Sequence, residues 1–258
     1  MLFNLKLMEE DKYYSDIQKA LDDLPGNFSI LEERIDIEDQ MKYFEYSKNV
    51  REKDIGDECF ENREELFSDE IPNERKKEIL SAIASLDEVK AFRTLEKYLK
   101  NPDTELRDWA ILAMQESRML LQSSLLDEKQ VFISTGLGGK GQKLRYYLVF
   151  INRDRYKMLD ATQQKLVKNE LIFVLNDKEG EFESIDFFEG FSTSLVLLPL
   201  KTDIKQVFNT MIEECNQYGD FLDDDMIITN VKVLSRGEII QMLNQSKDSD
   251  FEDGLEEE

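Results

Sequence analysis

The residues 134–143, Ser-Thr-Gly-Leu-Gly-Gly-Lys-Gly-Gln-Lys, hold four of the chain's eleven glycines. Glycine-rich turns carrying lysine can cradle phosphate, because backbone N–H groups without a neighbouring Cβ approach an anion closely. The nucleotide-loop pattern GxxxxGK[ST] fails here, since Lys140 is followed by Gly141. The dinucleotide pattern GxGxxG is met in spacing by Gly136, Gly138 and Gly141. Its mechanism needs a helix N-terminus to receive the pyrophosphate. This run instead lies between two strand-like apolar stretches, 131–133 and 144–151. Two readings follow. One is a flexible hairpin loop. The other is a mobile basic flap in which Gly138, Gly139, Lys140, Lys143 and Arg145 contact an anionic ligand or an acidic surface. Residues 248–258, with seven acids and no base, could supply that surface from the same chain.

Other chemistry is sparse. The chain has no histidine, which excludes imidazole triads, imidazole bases and His-ligated metals. Cys59 and Cys215 form no CxxC pair. Cys215 falls on an apolar helical face and reads as structural, while the acidic neighbours of Cys59 should raise its pKa. Asp248, Asp250 and Glu252 mimic a calcium loop, but Asp253 stands where glycine must turn and no twelfth-position glutamate follows. Asp223, Asp224 and Asp225 read as an acidic turn before a strand. Glu181, Glu183, Asp186 and Glu189 surround a strand expected over 182–188, where a carboxylate pair for acid–base work would have to sit. Trp109 reads as core. No catalytic residue, metal or cofactor is expected.

The net charge of the 258-residue chain is −23. That field opposes nucleic acid and anionic lipid and favours a basic protein partner. It is uneven: residues 1–70 carry 21 acids against 9 bases, whereas 136–157 carry six bases against Asp154 alone. Sparse cysteine use, no basic leader ahead of the apolar start, and no run near the ~20 apolar residues of a membrane span lead us to expect a cytoplasmic protein.

Positioning these residues requires two kinds of structure. Residues 11–24 fit a helix stopped by Pro25-Gly26, and 28–70 fit short helices. From Pro72 the period is strongly helical: one helix from Pro72, a second capped by Asp87, and a third after Asn101-Pro102-Asp103 that carries Trp109 inward. The residues 85–95 and 99–110 resemble a HEAT-type α-solenoid repeat, on the order Asp103, Arg107, Ala110. The resemblance implies helices stacked through about 72–125 and is nearly silent on function.

After Gln130 the period changes. Strands are expected at 131–135, 144–152, 182–188, 193–200 and 226–234, with helices at 160–175 and 203–218. Without the first strand the order βαββαβ is similar to the ferredoxin-like sandwich. Strand 131–135 would pair as an extra hairpin strand with the next one. The expected class is thus α+β, with a HEAT-like helical domain over 1–128, a ferredoxin-like domain over 129–245 and a disordered acidic tail over 246–258. A terminal helix should begin at the Ser235–Glu238 capping box and end near Leu243. Strands 146–151 and 195–200 are apolar on both faces, and the two helices cover only one. The helical half or a second copy of the chain must cover the other. Together these readings point to a non-catalytic protein-interaction or scaffold protein, with a homodimer through the open sheet face as one form. The alternative is an anionic-ligand or enzymatic role for the basic glycine hairpin.

Overall fold

The computed structural model describes residues 28–127 and 130–253, with side chains described as far as 244. The helix expected over 11–24 lies outside them. The chain is of the α+β class. Its first described element is not helical: β1 (Phe28–Ile30) precedes α1 (Ile37–Glu52), a helix of 16 residues where shorter pieces were expected. Asp36 opens α1 by accepting a hydrogen bond from the Glu38 N–H at 2.8 Å. Gln40, Tyr43, Ser47 and Val50 recur every three or four residues and form its buried face.

Three more α-helices follow α2 (Gly56–Glu61) and a 3₁₀ turn (Arg63–Phe67). They are α3 (Asn73–Ala84), α4 (Val89–Leu99) and, after a 3₁₀ turn at Thr104–Leu106, α5 (Arg107–Leu126). Pro72 occupies the position before α3, where its missing N–H costs nothing. Glu88, not Asp87, flanks α4. Helix α3 is the centre of the stack. It packs against α1, α2, α4 and α5, and its Ile79, Leu80 and Ile83 are fully buried. Lys76 of α3 is 3% exposed and is held by Asp103 at 2.7 Å, which also accepts from the Tyr98 hydroxyl at 2.6 Å. Lys76 first, then Tyr98, lowers the Asp103 pKa. Arg107 pairs with its neighbour Asp108 instead. Trp109 packs edge-on to Tyr43 and Tyr46 and donates to the Ser81 hydroxyl, half-buried against the helical core and not within it.

The second half is built on one antiparallel sheet. Its strands are β4 (Lys143–Asn152), β5 (Glu181–Phe187), β6 (Phe191–Pro199) and β7 (Leu222–Thr229), in the spatial order β7-β4-β6-β5. Helices α6 (Ala161–Asp177) and α7 (Ile204–Asn216) pack on one face, against Tyr146, Leu148 and Phe150 of β4 and Val196 and Leu198 of β6. Cys215 lies in that core and burial pushes its thiol up to about 12.

Four expectations are corrected. First, β2 (Val131–Ile133) does not join the sheet as a hairpin strand. It runs parallel to β1, with Ser29 opposite Phe132, and β3 (Gly139–Lys140) closes the hairpin onto β4 instead. Its residues are shared: Phe132 packs on the helical core and Ile133 on the sheet core, so β2 bridges the halves across the expected boundary at 128/129. Second, β7 begins four residues early. Its aspartates are in the strand, and residues just past the end of β4 hold two of them, Arg155 to Asp223 at 2.7 Å and Arg153 to Asp224 at 3.4 Å. Third, the cover found on the second sheet face is the chain's own C-terminal segment, not the helical half. Val231–Leu234 leave the sheet and α8 (Arg236–Asp253) folds back across it. Leu234 and Ile239 join Leu137, Tyr147, Val149 and Phe191 in a third core. Fourth, α8 continues past Leu243 to Asp253, into the stretch expected to be a tail; residues 254–258 lie outside the described ones.

Ile239 is fully buried between α8 and the sheet. Ile239→Ala is expected to destabilise the protein by about 2–5 kcal/mol, read as a lower urea midpoint at unchanged m-value. A wild-type midpoint would show that α8 does not hold this face.

Candidate functional site

The glycine stretch is buried from Thr135 to Gly139. Three separate parts of the chain converge on it. From the helical half, Gln40 donates its amide to the carbonyls of Ile35 and Thr135 at 2.8 and 3.2 Å. From the C-terminal segment, the Asn230 carbonyl accepts from Leu137 N at 3.0 Å. From β4, Arg145 N donates to the Gly138 carbonyl at 3.0 Å and the Arg145 guanidinium to the Leu137 carbonyl at 2.7 Å. Gly138 stands at φ +65°, where an added Cβ would lie 2.5 Å from the carbonyl oxygens of both Glu32 and Glu33. Glycine is needed there twice over, for the left-handed turn and for the contact. Gly139 lies in β3 opposite Leu144. Gly141 also has positive φ, +60°, but faces open space. This is a packed junction, not a mobile flap.

The cations of the stretch are occupied by the edge strand β5. Lys140 and Lys143 both reach Glu181, at 2.7 and 2.9 Å. Arg145 grips Glu183 through two nitrogens at 2.7 and 2.8 Å, with Arg34 also near at 3.7 Å. The register explains the match: Arg145 is opposite Leu197, which is opposite Glu181, so the three share a sheet face. A bulge between Phe182 and Ser184 turns Glu183 toward Arg145. Lys140 and Lys143 hold the Glu181 carboxyl down at about 2. The acidic surface near the basic hairpin is therefore β5 of the same chain together with Glu32, whose carboxylate accepts from Gly141 N at 2.8 Å. This pairing was not legible in sequence, because it runs between residues about forty apart across an intervening strand.

Further along the same face, α8 leaves part of the sheet uncovered. A cleft of about 220 Å³ opens there, floored by Tyr147, Thr193 and Leu195 and walled by Phe188, Leu234 and Ile239. Tyr147 is 6% exposed, and its hydroxyl donates to the Leu234 carbonyl at 3.2 Å. Burial raises its pKa, Thr193 opposes that through a hydrogen bond, and Asp186 adds to it, so the phenol stays neutral. Of the four acids expected around this strand, Asp186 alone lines the cleft.

Among the described residues no group of three or more cysteines, aspartates or glutamates is placed to hold a metal ion. No described helix is long and apolar enough to cross a membrane. Cys59 is buried, and burial rather than its acidic neighbours is the main cause raising its thiol pKa, with Arg75 opposing.

No protein-family model matches the chain, and no curated protein matches it. Among solved structures it is similar to a protein of Deinococcus radiodurans R1 described as a "putative transposase", at 13% identity and a TM-score of 0.33, over 43% of this chain and 93% of that one. A likeness that low carries no argument about this chain.

Two outcomes test the junction. Gly141→Ala, strained but unobstructed, is expected to cost about 1 kcal/mol, and Gly138→Ala clearly more, by equilibrium unfolding. Equal costs would mean that the Glu32–Glu33 contact yields freely. For Glu181 the folded pKa lies below its ordinary 4.5, so its contribution is present above that value and is lost as pH falls from about 4.5 toward 2. Glu181→Gln should accordingly flatten the fall in melting temperature across that window.

Proposed function

We propose that the protein is a non-catalytic protein-interaction module, a HEAT-like helical stack joined to a ferredoxin-like domain, and that it presents the outer face of α1 to a basic partner. The observation that carries this reading is an exposed apolar stripe. Ile37, Met41 and Phe44 recur at helical spacing along α1, with Ile37 half-buried and Met41 60% and Phe44 39% exposed. The Phe44 ring lies edge-on to Phe132 of β2, with centroids 6.5 Å apart, so the stripe continues onto the strand that joins the two halves. Glu38, Asp39 and Glu45 flank it, all exposed, together with Lys42, which pairs with Asp39 at 2.8 Å, and Lys48.

Apolar anchors rimmed by charged residues are how a surface combines affinity with selection. Methionine adapts to differently shaped partners, and an aromatic supplies area at low entropic cost. The opposite face of α1 is used up by Tyr43 and Ser47, both bonded to Glu116 at 2.6–3.0 Å. The helix is thereby fixed from behind and needs no reordering on binding. The antiparallel sheet order β7-β4-β6-β5 with two helices on one face supports the ferredoxin-like half of the reading. The antiparallel packing of α3, α4 and α5 supports the HEAT-like half.

The test is affinity capture from native lysate with the wild type and a Met41→Lys, Phe44→Lys variant of equal thermal stability. The wild type is expected to retain a basic protein that the variant loses by at least tenfold. Equal recovery by both, or no specific protein with either, removes the reading.

A further inference from the structure

The cleft between α8 and the sheet holds two opposite charges that do not neutralise one another. Asp186 on β5 and Arg236 at the start of α8 both line it, and among the described residues neither makes an ion pair. Other cations around this sheet are paired: Lys140, Lys143, Arg145, Arg153, Arg155 and Lys232 all have carboxylate partners. Arg236 is oriented by the Phe188 ring, 4.7 Å from its guanidinium carbon. Between the two charges the lining alternates in character. Leu195, Phe188, Leu234 and Ile239 are apolar, while Ser184, Thr193 and the neutral Tyr147 hydroxyl are hydrogen-bonding. The volume of about 220 Å³ lies below the ~300–1,000 Å³ of pockets for drug-sized ligands, so the occupant is compact.

We propose that this cleft is a binding site for a free α-amino acid with an apolar side chain, its ammonium on Asp186, its carboxylate on Arg236 and its side chain over Leu195 and Ile239. The carboxylate meets a guanidinium fork that offers two parallel donors. The ammonium meets a carboxylate with no competing cation. The side chain removes apolar floor from water. A longer peptide does not meet these terms, since its internal residues lack both charged termini at one-residue separation. The α1 surface plays no part in this site, so either reading can fail alone.

The experiment is isothermal titration calorimetry on the full chain. The ligands are leucine and phenylalanine, with isoamylamine as leucine lacking its carboxylate and isocaproate as leucine lacking its ammonium. Leucine or phenylalanine is expected to bind, and both leucine fragments to bind at least about tenfold more weakly than leucine, the loss of one charge-assisted hydrogen bond. Asp186→Asn should weaken leucine about tenfold and leave isocaproate unchanged. Arg236→Gln should weaken leucine similarly and leave isoamylamine unchanged. Both variants should melt within a few degrees of the wild type, since neither charge makes an ion pair and Arg236 loses only its exposed contact with the Phe188 ring. No heat from either amino acid overturns the proposal. So do fragments that match leucine, or variants that bind leucine as the wild type does.

Discussion

The structure depends on one backbone crossing. Between Thr135 and Gly139 the chain passes between the Glu32–Glu33 carbonyls and the start of β4, at distances that no Cβ would permit at Gly138. Every larger feature is fixed relative to this strand of backbone. Gln40 ties α1 to it, Asn230 ties the C-terminal segment, and Arg145 ties the sheet. The parallel β1–β2 pair enters it directly, and β1 lends Ile30 to the sheet core and the next residue, Leu31, to the helical core. The two halves share a junction in which adjacent residues serve different cores, so a change in one register displaces the other.

Electrostatics reinforce that geometry. The net charge of −23 leaves 33 Lys and Arg to be set against 56 Asp and Glu. Here Lys140, Lys143 and Arg145 are placed against β5, and Lys76 is buried against Asp103. A buried ammonium that lost its carboxylate would be left uncompensated, which makes the Lys76–Asp103 pair a determinant of helix register more than a source of net stability. Glu116 plays the complementary part, a carboxylate of 9% side-chain exposure satisfied by Tyr43, Ser47 and Arg51. The exposed acids are what remain, and they set the character of the outer surface.

The local elements were legible in the sequence because their signals are local. Pro72, the 203–216 stripe and the switch in period after Gln130 placed α3, α7 and the sheet strands to within a few residues. What was not legible was pairing between distant stretches. Val131–Ile133 is too short for its alternation to name a partner, and Phe28–Ile30 was hidden at the head of a helix-like pattern, so their parallel pairing left no trace. Asp223 to Asp225 read as a turn because strand propensity disfavours aspartate, yet Arg153 and Arg155, just past the end of the neighbouring β4, compensate Asp224 and Asp223. A hairpin loop or a basic flap was the expected reason for the glycines, whereas Gly138 and Gly139 are placed where a Cβ would meet the Glu32, Glu33 and Lys143 carbonyls.

The apolar double face of β4 is the point at which sequence and structure inform each other most. Alternation fails in a strand only when both sides are buried, and that was a sound demand for a second cover. Helix α8 answers it, though not along the whole sheet. Its start, fixed by the Ser235–Glu238 capping bonds and the Lys232 pair, stands off from β5 and leaves Tyr147, Thr193 and Leu195 beneath a gap. A cover evolved only to hide apolar surface would place apolar residues at that gap. Asp186 and Arg236 stand there instead, on two elements whose relative position is set by the buried Leu234 and Ile239. The contacts that secure α8 therefore also set the separation of the two charges, and the covered face and the cleft are consequences of the same packing.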